Sequence, residues 1–129
     1  MLRHSIKSLI IIIFYSISLS STQEITFSSA NPFSFKDIIT NIDNLDKQTV
    51  SGILTIPNNT TEKVPLVMGV AGSKGWGEHH FEYLNMYQEM GIATLQLQSF
   101  KSRGETSTVG TQNTVTIAMI ILDSYRALE

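Results

Sequence analysis

The sequence contains no cysteine among its 129 residues. This absence excludes disulfide bonds, thiolate metal sites and a cysteine nucleophile within the chain. Internal repeats and low-complexity tracts are also missing. Neither sign of charge dominates, since the net charge is −2, so no basic face indicates nucleic acid as a partner. What is present is an ordinary globular composition, 42% hydrophobic and 16% charged, of a length that suits one small domain.

Residues 1–20 have the pattern of a secretory signal peptide. Arg3 and Lys7 precede an apolar stretch of about a dozen residues, which is long enough for a signal and short for a bilayer span. Ser18 and Ser20 are small residues at the positions that precede a cleavage site after Ser20. We therefore expect a secreted or periplasmic protein. An uncleaved N-terminal anchor is the alternative, and the signal or anchor is the only membrane contact that we expect.

Hydrophobic periodicity in the rest of the chain predicts strands that later alternate with helices. The segments predicted as strands are QEITFSSANPF, TVSGILTIP, VPLVMGV and GIATLQLQSF. VPLVMGV is nearly continuous in apolar residues, which is typical of a strand buried on both faces in a parallel sheet. Helices are expected at 78–90, followed by Gly91 as the C′ glycine, and at 111–128. Residues 36–48 favour a strand or a loop. This order indicates an α/β fold with a right-handed βαβ unit.

The glycine-rich segment AGSKGWG follows VPLVMGV and is the main candidate for chemistry. A turn between a strand and a helix can hold a phosphate, a nucleophile or an oxyanion. Its spacing fits neither G-x-x-x-x-G-K-[ST] nor G-x-G-x-x-G, which disfavours a phosphate site. Residues 71–75 differ by one residue from G-x-S-x-G, so Ser73 as a nucleophile is an alternative. We favour an oxyanion loop with backbone N–H donors near Gly72 and Ser73. A purely structural turn also stays open.

Other side chains near this turn have two interpretations each. Trp76 either lines a substrate pocket or covers an edge of the core. Arg103 either binds a substrate carboxylate with its forked guanidinium or holds the following loop by a salt bridge, which is the role that we favour. His79 and His80 are adjacent and cannot share one helix face, so we expect no metal site from them. Asp123 is expected at the surface or in a salt bridge.

Four segments together resemble the N-terminal part of the dienelactone hydrolase-like family of α/β-hydrolases: VSGILTIP, VPLVMGVAGSKGWG, GIATLQLQSFKSRGETSTVGTQ and VTIAMIILDSYRALE. The resemblance covers residues 49–129, and its strongest element is Ser-Phe-x-x-Arg-Gly at residues 99–104. It implies that residues 21–129 form a β-hairpin followed by βαβα, an incomplete first portion of an α/β-hydrolase sheet. Two residues depart from the family pattern, because Ala71 replaces a usual histidine and Gln98 replaces a frequent aspartate.

The resemblance implies an exported hydrolase that cleaves a small ester or lactone without a cofactor. Such enzymes use a Ser or Cys nucleophile, an acidic residue and a histidine, in that chain order. We expect all three beyond residue 129 and no catalytic residue in this chain, which is then the first part of a longer protein or a truncated product. The alternative is a non-catalytic exported α/β domain, or a remnant, that binds a ligand or a partner.

Overall fold

The computed structural model describes residues 20–58 and 62–129. Its elements in chain order are β1 (Ser21–Ala30), α1 (Phe35–Asn41), a 3₁₀ turn (Ile42–Asn44), β2 (Lys47–Ile56), β3 (Leu66–Gly69), α2 (Glu78–Glu89), β4 (Ala93–Leu97), a second 3₁₀ turn (Lys101–Arg103) and α3 (Ile117–Arg126). The predicted signal peptide lies, apart from Ser20, outside the described residues. No helix in the described ranges is long and apolar enough to cross a bilayer.

The strands of the described residues form one mixed sheet in the order β1-β2-β4-β3. β1 and β2 pair antiparallel, with Ser21 opposite Ile56 and Ala30 opposite Lys47. β2 and β4 are also antiparallel, whereas β3 and β4 are parallel. Because parallel neighbours need a crossover, α2 connects β3 to β4. The predicted α/β class is therefore confirmed, with one parallel pair extended by two antiparallel strands.

The core lies around β2 and β4, the two strands of the described sheet that have neighbours on both sides. Leu95 and Leu97 of β4 are each 1% exposed, and Val50 of β2 is fully buried. α2 packs against β3 and β4, and α3 packs against β1. Beyond the end of β4, Phe100 packs with Val115 and other apolar side chains of the α3 region. The segment that follows β4 is therefore packed against the α3 region.

Residues 36–48 do not form the expected strand or loop, because α1 and the first 3₁₀ turn occupy most of this segment. Ser34 precedes the helix, and the Asp37 carboxylate accepts from the Ser34 backbone N–H at 2.7 Å and from Ser34 Oγ at 3.0 Å. The Ser-x-x-Asp pattern at residues 34–37 therefore caps the start of α1, which is why this segment is helical. As a result, β1 and β2 are connected through a helix and not by a tight hairpin turn.

Two further expectations about elements were wrong. The last helix begins at Ile117 instead of residue 111, because Thr116 Oγ1 accepts from the Met119 backbone N–H at 3.2 Å and caps the helix there. β3 is not buried on both faces, since Leu66 is 41% exposed and the other residues of β3 are half-buried. The physical reason is position: within the described residues β3 is an edge strand that pairs with β4 alone.

Candidate functional site

The glycine turn between β3 and α2 is shaped by contact with a neighbouring loop. Gly72 and Gly75 face each other, and the Gly75 N–H donates to the Gly72 carbonyl at 2.9 Å. Gly75 has a φ of +78°, and a Cβ there would lie 2.4 Å from the Thr106 carbonyl oxygen. Both observations require glycine. Gly72 is different, since a Cβ there would meet nothing within 4 Å.

Ser73 lies on the exposed part of this turn. Its carbonyl accepts from the Thr108 backbone N–H at 2.8 Å and from Ser107 Oγ at 2.9 Å. Neither the Ser73 N–H nor Ser73 Oγ has a hydrogen-bond partner among the described residues. The loop that follows β4 therefore fixes the carbonyl side of Ser73 and leaves its N–H available as a donor.

Neither of the neighbouring histidines is placed to act as a base for Ser73. His80 Nδ1 accepts from the Gly77 backbone N–H at 2.8 Å, so this ring caps the start of α2. The His79 and His80 rings lie 3.9 Å apart, centroid to centroid. An activated serine needs a base within hydrogen-bond reach, and the described residues provide none at Ser73. No group of three or more His, Cys, Asp or Glu side chains in the described part of the chain is placed to hold a metal ion.

Trp76 covers an edge of the core and also lines a cavity. Its Nε1 donates to the Leu97 carbonyl at 3.2 Å, which ties the turn to the end of β4. Its ring stacks on Phe81 with centroids 5.9 Å apart. A Cβ at Gly69 would lie 2.9 Å from the ring, so Trp76 covers the end of β3. The same side chain also lines a cavity.

This cavity, of about 310 Å³, lies where the two parallel strands end. Its apolar lining residues are Val70, Ala71, Trp76, Leu97, Phe100 and Ile120, and its polar ones are Gln98, Ser99, Lys101, Glu105 and Thr106, with Gly75 completing the wall. Ligands of α/β proteins bind in crevices at the carboxyl ends of parallel strands. We name it the Trp76 cavity.

A second and more open cavity of about 630 Å³ lies on the other side of Ala71. Gly72 and Ser73 line this one, together with the exposed rings of Phe33 and Phe35. The two cavities share three wall residues, Ala71, Phe100 and Ile120. The predicted oxyanion residues and the predicted pocket residue Trp76 are therefore near neighbours but face different spaces.

Arg103 is buried with its whole guanidinium occupied. Its Nε donates to Asn31 Oδ1 at 2.8 Å. One terminal nitrogen donates to the Ser99 carbonyl and to Asp123 Oδ2, at 3.0 and 2.7 Å. The other donates to the Ala30 carbonyl and to Asp123 Oδ1, at 3.0 and 3.1 Å. An arginine has five N–H donors, so none is left for a ligand.

Asp123 completes this arrangement from α3. Its side chain is 0% exposed, that of Arg103 is 5% exposed, and Ser29 Oγ also donates to Asp123 Oδ1 at 2.6 Å. A charge is stable away from water when it is paired and hydrogen-bonded. The sequence predicts a salt bridge for Arg103, and a surface position or a salt bridge for Asp123, but it does not pair them because the two residues lie on separate elements.

Several residues of the Trp76 cavity were not predicted from sequence. Ser99 and Phe100 belong to the Ser-Phe-x-x-Arg-Gly segment, which carries the family resemblance. The sequence did not predict that they line a cavity. Ile120 sits on α3 and Glu105 in the loop after β4. The position of Ser99 directly after a predicted parallel strand was the one signal that could have found it.

No protein-family model matches this sequence, and no curated protein matches it.

Proposed function

We propose that this chain forms the first part of an exported hydrolase of the dienelactone hydrolase type, acting on a small ester or lactone. One observation carries the proposal. The Ser73 backbone N–H is unpaired within the described residues, on an exposed turn that directly follows a parallel strand and borders cavities of small-molecule size. Such an N–H is the donor that acyl-transfer enzymes direct at a developing oxyanion.

The role of the chain in this reaction is to bind and to orient. A serine or cysteine beyond residue 129 attacks the ester carbonyl carbon, and a histidine accepts the nucleophile's proton. Negative charge then develops on the carbonyl oxygen, and the Ser73 N–H donates to it. The histidine returns the proton to the leaving alcohol, and water releases the acid in a second round. The hydrogen bonds to the Ser73 carbonyl hold the turn that carries this N–H against the loop that follows β4.

The first experiment reads the codons that follow Glu129. A strand and a G-x-S-x-G or G-x-C-x-G elbow within about 30 residues, the length of one βαβ unit, would support the hydrolase. A stop codon would support the non-catalytic binding domain in its place.

The second experiment tests the oxyanion donor in the longer product, with p-nitrophenyl acetate hydrolysis as the readout. Ser73→Pro removes the N–H and is expected to lower kcat by about 10²–10³-fold. Ser73→Ala keeps the N–H and is expected to retain activity and labelling by a fluorophosphonate. Thermal unfolding of both variants checks that they fold. Loss of labelling in Ser73→Ala would instead identify Ser73 as the nucleophile.

A further inference from the structure

The second cavity, which we name the Phe33 cavity, lies at the edge of the sheet where three strands end. β1 and β4 are both antiparallel to β2, and β3 is parallel to β4, so β1, β3 and β4 run in one direction. Phe33 and Phe35 come after β1, the glycine turn comes after β3, and Phe100 comes after β4. All three segments contribute to the wall. The carboxyl ends of such strands are where α/β proteins bind their ligands.

The wall of this cavity presents apolar side chains to solvent. Phe33 and Ile117 are each 69% exposed, and Phe35 is 49% exposed. None of the described residues that line the cavity carries a charge. Single exposed apolar side chains are common, whereas several gathered around one concave site are typical of a binding site. The volume of about 630 Å³ is also that of a small-molecule site.

The backbone that carries these side chains is fixed by a buried hydrogen bond. Thr116 Oγ1 donates to the Pro32 carbonyl at 2.9 Å, and both residues are buried. This bond joins the residue before Phe33 to the residue before Ile117. A surface that is held in place before a ligand arrives loses less conformational entropy when the ligand binds. The exposed apolar side chains therefore belong to a preformed surface.

This apolar surface and the proposed oxyanion residues belong to the same cavity. Gly72 and Ser73 lie in the wall of the Phe33 cavity. An ester whose carbonyl lies at the glycine turn therefore has the apolar surface within the same cavity for one of its substituents. Removing apolar surface from water stabilises a complex in proportion to the area buried, so a large apolar substituent binds better than a short one.

We propose that the Phe33 cavity binds esters with a large apolar substituent, a medium-length alkyl chain or an aromatic ring, and that Phe33 and Ile117 set this preference. Calling the ester a substrate rests on the proposed function, because the Ser73 donor is what selects a carbonyl. Binding of the apolar substituent depends on the cavity wall alone.

The test uses the full chain and the uncharged dye N-phenyl-1-naphthylamine, whose fluorescence rises in apolar sites. Methyl octanoate and methyl butyrate, which differ only in the length of the acyl chain, compete with the dye. We expect saturable binding of the dye. Methyl octanoate is expected to displace it at concentrations at least about tenfold lower than methyl butyrate does, because the longer chain buries more apolar surface.

A double variant locates the binding site. Phe33→Ala with Ile117→Ala removes two exposed wall side chains and is expected to weaken binding of the dye and of methyl octanoate at least about tenfold. Tyr83→Ala with Tyr125→Ala is the matched control, since these side chains are 60% and 68% exposed and lie outside the wall. The control is expected to bind as the wild type does. Dye bound elsewhere on the chain cancels in this comparison, and thermal unfolding checks that both variants fold.

Equal dye affinity in the two double variants would overturn the proposal, and so would the absence of saturable dye binding by the wild type. If the reading frame continues, loss of dye binding in the longer product would also overturn it, because further residues then fill the cavity.

These outcomes are separate from hydrolysis, since dye binding is measured without turnover. Dye binding that depends on Phe33 and Ile117, in a chain whose gene stops at codon 129, would support the apolar site while the hydrolase proposal failed. A longer product that hydrolyses methyl octanoate and methyl butyrate with equal kcat/KM would support the hydrolase proposal and overturn the preference for a large apolar substituent.

Discussion

The two sides of the sheet are built in different ways. On the β1 side, Arg103 and Asp123 form a buried ion pair whose hydrogen bonds reach Ser29, Ala30 and Asn31. On the β3 side, the edge strand is half-exposed and ends in the glycine turn, where the Ser73 N–H is unpaired within the described residues. On the first side, the charges of Arg103 and Asp123 are directed at protein partners. On the second side, a backbone donor stays unpaired within the described residues, on a turn that borders two cavities.

Residues 99–108, which follow β4, connect the two sides of the sheet. Arg103 is held on the β1 side by its ion pair with Asp123, and it donates to the Ser99 carbonyl just after β4. A few residues later, Ser107 and Thr108 hold the carbonyl of Ser73. The shape of the glycine turn therefore depends on the Arg103–Asp123 network, because the same loop is fixed by that network at one end and contacts the turn at the other.

The largest expected loss of stability follows from removing one partner of the buried ion pair on the β1 side. Asp123→Ala leaves the Arg103 charge buried without its partner, and we expect a loss of about 3–5 kcal/mol in the free energy of unfolding. Urea denaturation measures it. Glu129→Ala is the matched control, since it removes the exposed partner of Arg126 and is expected to cost at most about 1 kcal/mol.

A double variant separates pairing from packing at this site. Arg103→Met with Asp123→Leu removes both charges, and it is expected to recover most of the stability that Asp123→Ala loses. If Asp123→Ala lowered the free energy of unfolding no more than Glu129→Ala does, the contrast between the two sides of the sheet would be wrong.

The next largest loss of stability is expected at the glycine turn on the β3 side. Gly75→Ala forces a Cβ against the Thr106 carbonyl and strains a φ of +78°. Gly110→Ala is the matched control, because its φ of +80° carries the same strain but nothing lies within 4 Å of the added Cβ. We expect a loss of about 1–2 kcal/mol for Gly110→Ala and a clearly larger one for Gly75→Ala. Equal losses in urea denaturation would contradict the close approach of turn and loop.

A smaller effect tests the start of α3. Thr116→Ala removes the hydroxyl that accepts from the Met119 N–H and donates to the Pro32 carbonyl. We expect a loss of about 0.5–2 kcal/mol, measured by thermal unfolding. Thr111→Ala, at an exposed position before the helix, should leave the stability nearly unchanged. A reversed order would place the helix start nearer residue 111, as the sequence suggested.

The smallest effect depends on pH. The Ser34 backbone N–H, and then the Ser34 hydroxyl, lower the pKa of Asp37 below its ordinary value. A lowered folded pKa means that the stabilisation is complete above the unfolded value and is lost as pH falls below about 4. Asp37→Asn lacks this charge, so its urea midpoint should approach that of the wild type as pH falls through this window. A constant difference would contradict the capping role.

Local patterns in the sequence predict the strands and the end of α2. Alternation and apolar runs predict each of the four strands found in the described residues, and Gly91, with a φ of +79°, ends α2 where a C′ glycine was expected. These features are local, since a few neighbouring residues and their periodicity specify them. The capping pattern of α1 is equally local, since Ser34 and Asp37 are three residues apart.

Other features of the structure depend on residues far apart in the chain, which only the folded structure brings together. The position of β3 at an edge within the described residues, the pairing of Arg103 with Asp123, and the contact between Gly75 and Thr106 each join separate elements. No periodicity records such neighbours. For that reason the sequence identified the glycine turn and Arg103, while only the fold showed that the arginine is occupied and that the turn lies beside a cavity.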